Sequence, residues 1–229
     1  MRVLVTETTW AATAMAHDLM SQGLLISRVE TAADFLHALD HGAQDAVVLD
    51  PTLPDLAGPA ALRTLRARSA TLPALVLPPR RETDRAALYE AGADLVLGSA
   101  RMRPAESAAR LRTMVRRATG FATDRIEHGP LTLDLGARRV TVAGTLLHLT
   151  RLEYEIVEMM VLRAGHLIGK DEMMTRLYAW DDEPEIRILD VYVCRIRKKI
   201  AAAGGPSDAI ETAFGRGYRF TPAPLVAAA

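Results

Sequence analysis

Short apolar runs alternate with longer stretches of helical period through residues 1 to 119. The runs at 2–6, 24–29, 45–50, 73–77 and 94–98 predict strands. The segments at about 8–22, 31–41, 58–68, 82–91 and 103–119 carry apolar residues at the spacing of one helix face. Five such strand and helix pairs, each joined by a few residues, predict a parallel, doubly wound α/β sheet covered on both faces. A ligand site in such a sheet lies at the carboxyl ends of its strands.

The pattern changes at Gly120. Residues 120–125 read as a linker, followed by alternating runs at 131–135, 139–142 and 145–149, separated by Gly136 and Gly144, which predict a small antiparallel sheet. Thr150 with Glu153 forms a capping-box signature, so a helix opens there and runs to about Arg163. A second helix is expected at about 170–178 and a third at 185–200, with Pro184 suited to its start. Runs at 208–212 and 218–221 flank residues 214–217 as a hairpin. The expected organisation is therefore a first domain at 1–119, a linker at 120–125 and a second, α+β domain at 126–224.

The third helix carries the most chemical information. Leu189, Val193, Ile196 and Ile200 recur at helical spacing and predict a core-facing stripe. Arg187, Val191, Cys194, Arg195 and Lys198 then fall on the opposite side. Arginine's fork meets guanine O6 and N7 together, a valine touches a thymine methyl, and Arg197, Lys198 and Lys199 are placed to reach phosphates. The alternative for such a stripe is a solvated charged face.

Charge sharpens this picture only through its distribution, because 28 basic and 28 acidic residues cancel. Between Arg187 and Arg219 the basic residues Arg187, Arg195, Arg197, Lys198, Lys199, Arg216 and Arg219 face only Asp190, Asp208 and Glu211. Residues 121–186 lean the other way, so the basic end of the second half coincides with the third helix. The single cysteine, Cys194, excludes an intrachain disulfide and fits a reducing compartment. No apolar run is long enough for a membrane span, and the first residues read directly as a strand, which together point to the cytoplasm. His128, His148 and His166 lack the spacing of metal ligands, so no metal or other cofactor is expected. With no nucleophile and base pair either, an enzyme is disfavoured.

Asp50 at the end of the third strand, Leu53-Pro54-Asp55-Leu56-Ala57-Gly58 after it, and Ala91-Gly92-Ala93-Asp94 before the fifth strand make the first half resemble the receiver domain of bacterial response regulators, a flavodoxin-like fold. The resemblance implies a phosphoacceptor at Asp50, an acidic pair that helps hold Mg²⁺, and a hydroxyl and a lysine that clasp the phosphoryl group. In this chain the acidic pair aligns with Thr8 and Thr9, the hydroxyl position with Pro78, the lysine with Ser99, and an aromatic switch position with Val96. Glu7 is one residue early, and the chain's lysines, Lys170, Lys198 and Lys199, all lie in the other half. Pro51 also removes a backbone N–H next to Asp50. A phosphoryl group needs fixed positive charge around its oxygens, so the expectation is a degenerate receiver in which Asp50 is a relic or a structural hydrogen bonder. The alternative keeps Asp50 as phosphoacceptor with Arg80, Arg81 and Arg101 in place of lysine. The resemblance also implies dimerisation through the fourth helix, fifth strand and fifth helix, here offering Arg85, Glu90, Leu95, Glu106, Arg110, Arg112 and Arg117. Leu95 stands where relatives carry an aspartate partner for the arginine.

Three helices and a hairpin with a glycine-flanked basic tip are the layout of a winged helix-turn-helix. Leu149-Thr150, Glu153-Tyr154, the run from Leu189 to Lys199 and Gly215-Arg216-Gly217-Tyr218-Arg219-Phe220 make the second half resemble the DNA-binding domain of OmpR/PhoB-type regulators. Residues 182–200 are most similar to the CtrA group of cell-cycle regulators. The resemblance implies base reading by Arg187, Val191 and Arg195, with Cys194 on the same stripe. It also implies phosphate contact by Arg197 and Lys198, and backbone or minor-groove contact by Arg216 and Arg219. Trp180, Asp181, Asp182 and Glu183 form the loop that contacts RNA polymerase in some relatives, and local packing is its alternative. The reading is a dimeric, sequence-specific DNA-binding transcription regulator independent of phosphorylation. Its rivals are a regulator dependent on phosphorylation at Asp50 and an interaction partner of another regulator or of polymerase.

Overall fold

The computed structural model describes residues 1–81, 84–98, 102–178 and 184–221. Predictions made at Ser99, Arg101, Trp180, Asp181, Asp182 and Glu183 therefore concern positions outside the described residues. The chain divides into two compact units, Met1–Gly120 and Phe121–Ala229.

The first unit is built from β1 (Arg2–Thr6), α1 (Trp10–Ser21), β2 (Leu25–Val29), α2 (Ala32–His41), β3 (Ala46–Leu49), α3 (Gly58–Arg68), β4 (Ala74–Val76), α4 (Asp84–Glu90), β5 (Leu95–Val96) and α5 (Pro104–Ala118). The sheet order is β2-β1-β3-β4-β5, all parallel, as the strand and helix alternation predicts. Because both faces are covered, β1, β3 and β4 are apolar almost throughout rather than alternating. One face carries Val3, Val5, Val48 and Leu75 under α1 and α5, and the other carries Leu4, Val47, Leu49 and Val76 under α2, α3 and α4. Thr9 and Thr31 cap α1 and α2 through their hydroxyls, and Pro104 sits at the start of α5, where the missing N–H costs nothing.

The second unit opens with an antiparallel sheet of β6 (Arg125–His128), β7 (Leu131–Asp134), β8 (Arg139–Val142) and β9 (Thr145–Leu146), paired in that order. β6 begins at the last residue of the predicted linker and was not expected as a strand. Its Arg125 and Glu127 are exposed while Ile126 is buried, an alternation too short to stand out in the sequence. Helix α6 (Arg151–Leu162) starts on the predicted capping box, with Thr150 and Glu153 satisfying each other's backbone N–H groups. Then come β10 (Leu167–Gly169), α7 (Lys170–Tyr178), α8 (Ile188–Ala202), β11 (Ile210–Ala213) and β12 (Gly217–Phe220).

The expected two-stranded hairpin is a three-stranded sheet of order β10-β12-β11. Gly217 makes this possible. Its φ is 150°, and a Cβ there would stand 1.9 Å from the carbonyl oxygen of Ile168, so the close approach of β10 and β12 requires glycine. One core joins the unit, with Leu189, Val193, Ile196 and Ile200 of α8 packed among residues of α6, α7 and both sheets.

Candidate nucleic-acid interface and receiver site

Helix α8 presents the two faces that its periodicity predicts. The four apolar stripe residues are at most 2% exposed, while Arg187, Val191, Cys194, Arg195 and Lys198 are all exposed. Val191, at 42% exposure, is one of the few large apolar side chains open to solvent. The helix starts at Ile188 rather than at Glu185. Arg187 occupies the cap position, already in helical backbone conformation at φ −62° and ψ −19°. Pro184 therefore precedes a turn rather than the helix itself, and Arg187 projects from the end of α8 that carries the positive helix dipole.

Several side chains of α8 make contacts that lock the helix into its unit. Arg197 donates through Nε to the carbonyl of Ile210 at 3.0 Å and through Nη2 to Thr212 Oγ1 at 2.8 Å, binding the middle of α8 to β11. Arg197, expected at a phosphate, also has this intrachain partner 13 residues further along the chain, which helical spacing does not reveal. Lys199 has an intrachain anchor as well. Its Nζ bonds Glu153 Oε2 at 2.6 Å and the carbonyl of His148 at 2.7 Å, so it ties α8 to the start of α6. Burial pushes the Glu153 carboxyl up, but Lys199 and the Thr150 amide outweigh it and hold it below its ordinary value.

Asp190, on the first turn of α8, gathers a third set of contacts. Lys170 Nζ reaches its Oδ1 at 2.7 Å, and the Tyr218 hydroxyl donates to the same oxygen. The lysine first and the tyrosine next hold the Asp190 carboxyl below the usual carboxylate range. Burial, and then Asp190, push the Tyr218 phenol up. Tyr178 and Tyr192 add a hydroxyl pair at 3.0 Å between α7 and α8. Neither Asp190 nor the tyrosines were singled out in the sequence, because only the fold brings β10, β12 and the helices together.

On the wing, Arg216 and Arg219 are exposed. Arg219 stands 3.9 Å from Glu211, a loose contact that leaves its guanidinium available. The Arg216 N–H closes the tip on Ala213 O at 2.9 Å.

At the sheet end of the first unit, Asp50 is 2% exposed and its carboxylate is engaged by hydroxyls. Oδ2 accepts from Thr9 Oγ1, and Oδ1 accepts from Thr52 N at 2.9 Å and Thr52 Oγ1 at 2.6 Å. Its own N–H donates to Thr6 Oγ1 at 2.6 Å. Glu7 pairs at 3.2 Å with Arg28 on the neighbouring strand. Thr8 is half-buried, and Pro78 lines an apolar cavity of about 240 Å³ with Trp10, Met15, Leu77, Leu97 and Met102. Arg80 and Arg81 are exposed. Among the described residues, no group of His, Cys, Asp and Glu has the arrangement of a metal site.

On the expected dimer face, Arg85 donates to the carbonyls of Val96 and Leu97 at 3.0 and 2.8 Å, so it fastens α4 to β5. Val96 itself is buried. Arg110 pairs with Glu106 one turn away at 2.7 Å. Glu90 and Arg117 are exposed. A groove of about 360 Å³ runs past Asp94, Leu95, Glu106, Ala109, Arg110 and Met114.

A doubly wound receiver sheet followed by a winged helix-turn-helix whose third helix has a basic exposed face defines a DNA-binding response regulator of the two-component type, which is not an enzyme class. Residues 144–220 match the family described as "Transcriptional regulatory protein, C terminal". The chain is 35% identical over 221 residues to the cell cycle transcriptional regulator CtrA of Caulobacter vibrioides, covering 95% of each. It is 39% identical over 175 residues to the cell cycle response regulator CtrA of Brucella abortus, covering 76% of this chain and 75% of that one. The response regulator DrrB, a Thermotoga maritima OmpR/PhoB homolog, aligns at 25% identity over 96% of this chain and 97% of its own, with a TM-score of 0.43. The chain belongs to the OmpR/PhoB family of response regulators and is CtrA-like within it. Among the described residues, no helix is long and apolar enough to cross a membrane.

Proposed function

We propose that this chain is a sequence-specific transcription regulator that binds DNA without being phosphorylated and acts as a homodimer in the cytoplasm. The observation that carries phosphorylation independence is the Asp50 carboxylate, whose two oxygens are held by Thr9 and Thr52 where a phosphoacceptor needs a metal and cations.

DNA reading is assigned to Arg187, Val191 and Arg195, phosphate contact to Lys198, and wing contact to Arg216 and Arg219. The receiver is assigned to residues 1–119 and the DNA-binding domain to 126–224. Dimerisation is assigned to the α4-β5-α5 face. Because Arg85 and Arg110 already have partners in their own chain, the contact there rests on Leu95, Ala109 and Met114 more than on ion pairs.

The test is binding by the purified, untreated protein across a library of short duplexes at two salt concentrations. Tight, selective binding is expected, with half-site spacing that reports a dimer. Binding that becomes selective only after treatment with a small phosphodonor and Mg²⁺ would overturn the reading.

A further inference from the structure

Phe214, at the wing tip, is 91% exposed, the highest value among the large apolar side chains described. It does not shape the turn. The turn is closed by Arg216 N–H on Ala213 O at 2.9 Å, and Gly215, at φ 71°, fills the position where a type II turn needs positive φ. The tip is also anchored from below, by the Lys170 N–H on Arg216 O at 3.3 Å and by the Tyr218 hydroxyl on Asp190 of α8. A bulky aromatic ring is thus held out into solvent on a braced support, packed against nothing that folding requires.

We infer that Phe214 is a wedge that enters the minor groove of DNA and partly unstacks a base step beside the sequence read by α8. The inference rests on the assignment of Arg216 and Arg219 to the wing's DNA contact. Three features select this occupant. Exposed Arg216 and Arg219 give the tip the charge that a phosphate backbone attracts. Glycines on both sides of Arg216 keep the tip thin, which suits a groove only about 6 Å wide. Apolar side chains inserted from the minor groove kink the duplex, and the energy cost is least at flexible TA and CA/TG steps. The wing therefore adds a preference for such a step in the flank, at a position where no base edge is hydrogen-bonded.

The experiment uses the full chain and a selected duplex with dyes at its ends and 2-aminopurine at the flanking step. Wild-type protein is expected to bend the duplex and brighten the 2-aminopurine. Phe214→Ala is expected to bind roughly tenfold more weakly, with the bend and the brightening lost. Its unfolding midpoint and its salt dependence should be unchanged, because no core contact and no charge is removed. Phe214→Leu should keep part of the bend. Equal affinity and equal bending by wild type and Phe214→Ala would overturn the wedge, and so would a Phe214→Ala defect confined to protein association. Arg195→Ala on the same duplex separates the two readings: selectivity that depends on Arg195 while Phe214 is silent sinks the wedge alone. Unselective binding by wild type sinks both.

Discussion

Arg197 and Ile210 are joined by a hydrogen bond of 3.0 Å from the guanidinium Nε to a main-chain carbonyl, so α8 and β11 share one direct connection. Arg197 and Lys198 are neighbours in sequence, the first bonded within its unit and the second exposed and proposed for phosphate contact. Arg197→Ala is expected to destabilise the fold by about 2 kcal/mol, the scale of hydrogen bonds made by a charged donor. It should leave the dependence of DNA affinity on salt almost unchanged. Lys198→Ala is expected to leave the unfolding midpoint alone and flatten the slope of log affinity against log salt by about 0.9. Thermal melts and salt titrations of the two variants check this, and a flattened slope for Arg197→Ala would return it to the phosphates.

Arg195 lies on the exposed side of α8, opposite the buried stripe from Leu189 to Ile200. Arg195→Ala is expected to cost roughly 1–3 kcal/mol on the selected duplex and far less on random DNA. Competition binding measures the difference. Equal losses on both would make Arg195 a phosphate contact.

Asp50 is enclosed by hydroxyls rather than cations. Incubation with a radiolabelled phosphodonor and Mg²⁺ is expected to label the protein at background level. Asp50→Asn is expected to keep DNA affinity within about twofold, because on the proposed reading that affinity does not depend on a phosphoryl group at Asp50. Labelling of the wild type that disappears in Asp50→Asn would establish a working acceptor.

Glu153 links pH to stability. Its carboxyl is held below the ordinary value of 4.5 despite its burial, by Lys199 and the Thr150 amide. A depressed carboxylate stabilises the fold fully above its unfolded value and ceases to do so as pH falls through the folded one. Glu153→Gln should therefore lower stability by about 2 kcal/mol near neutrality. The gap to wild type should narrow below about pH 4. Unfolding midpoints from pH 7 to pH 3 test this, and a gap independent of pH would mean that the loss is one of packing.

Much of this molecule is legible along the chain, and the exceptions share a cause. The five parallel strands, the capping box at Thr150 and the buried stripe from Leu189 to Ile200 are periodic or local, so spacing reveals them. Strand β10 is three residues long and exists because Gly217 admits it, which no window around Leu167 discloses. Arg197, Lys199 and Asp190 read as surface charges until distant segments arrive beside them. Phe214 is a different case: the turn signals at residues 214–217 place it in the hairpin loop, but spacing does not disclose that its ring stays unpacked.

Cys194 is the chain's one thiol, and it is exposed. On the side of α8 assigned to the groove, it is a natural labelling handle. A maleimide reagent should compete with the operator for the same surface, so protection from alkylation becomes a footprint of the bound helix that needs no engineered residue. The same feature makes storage chemistry matter: an oxidised or capped preparation would look inactive on DNA while being fully folded.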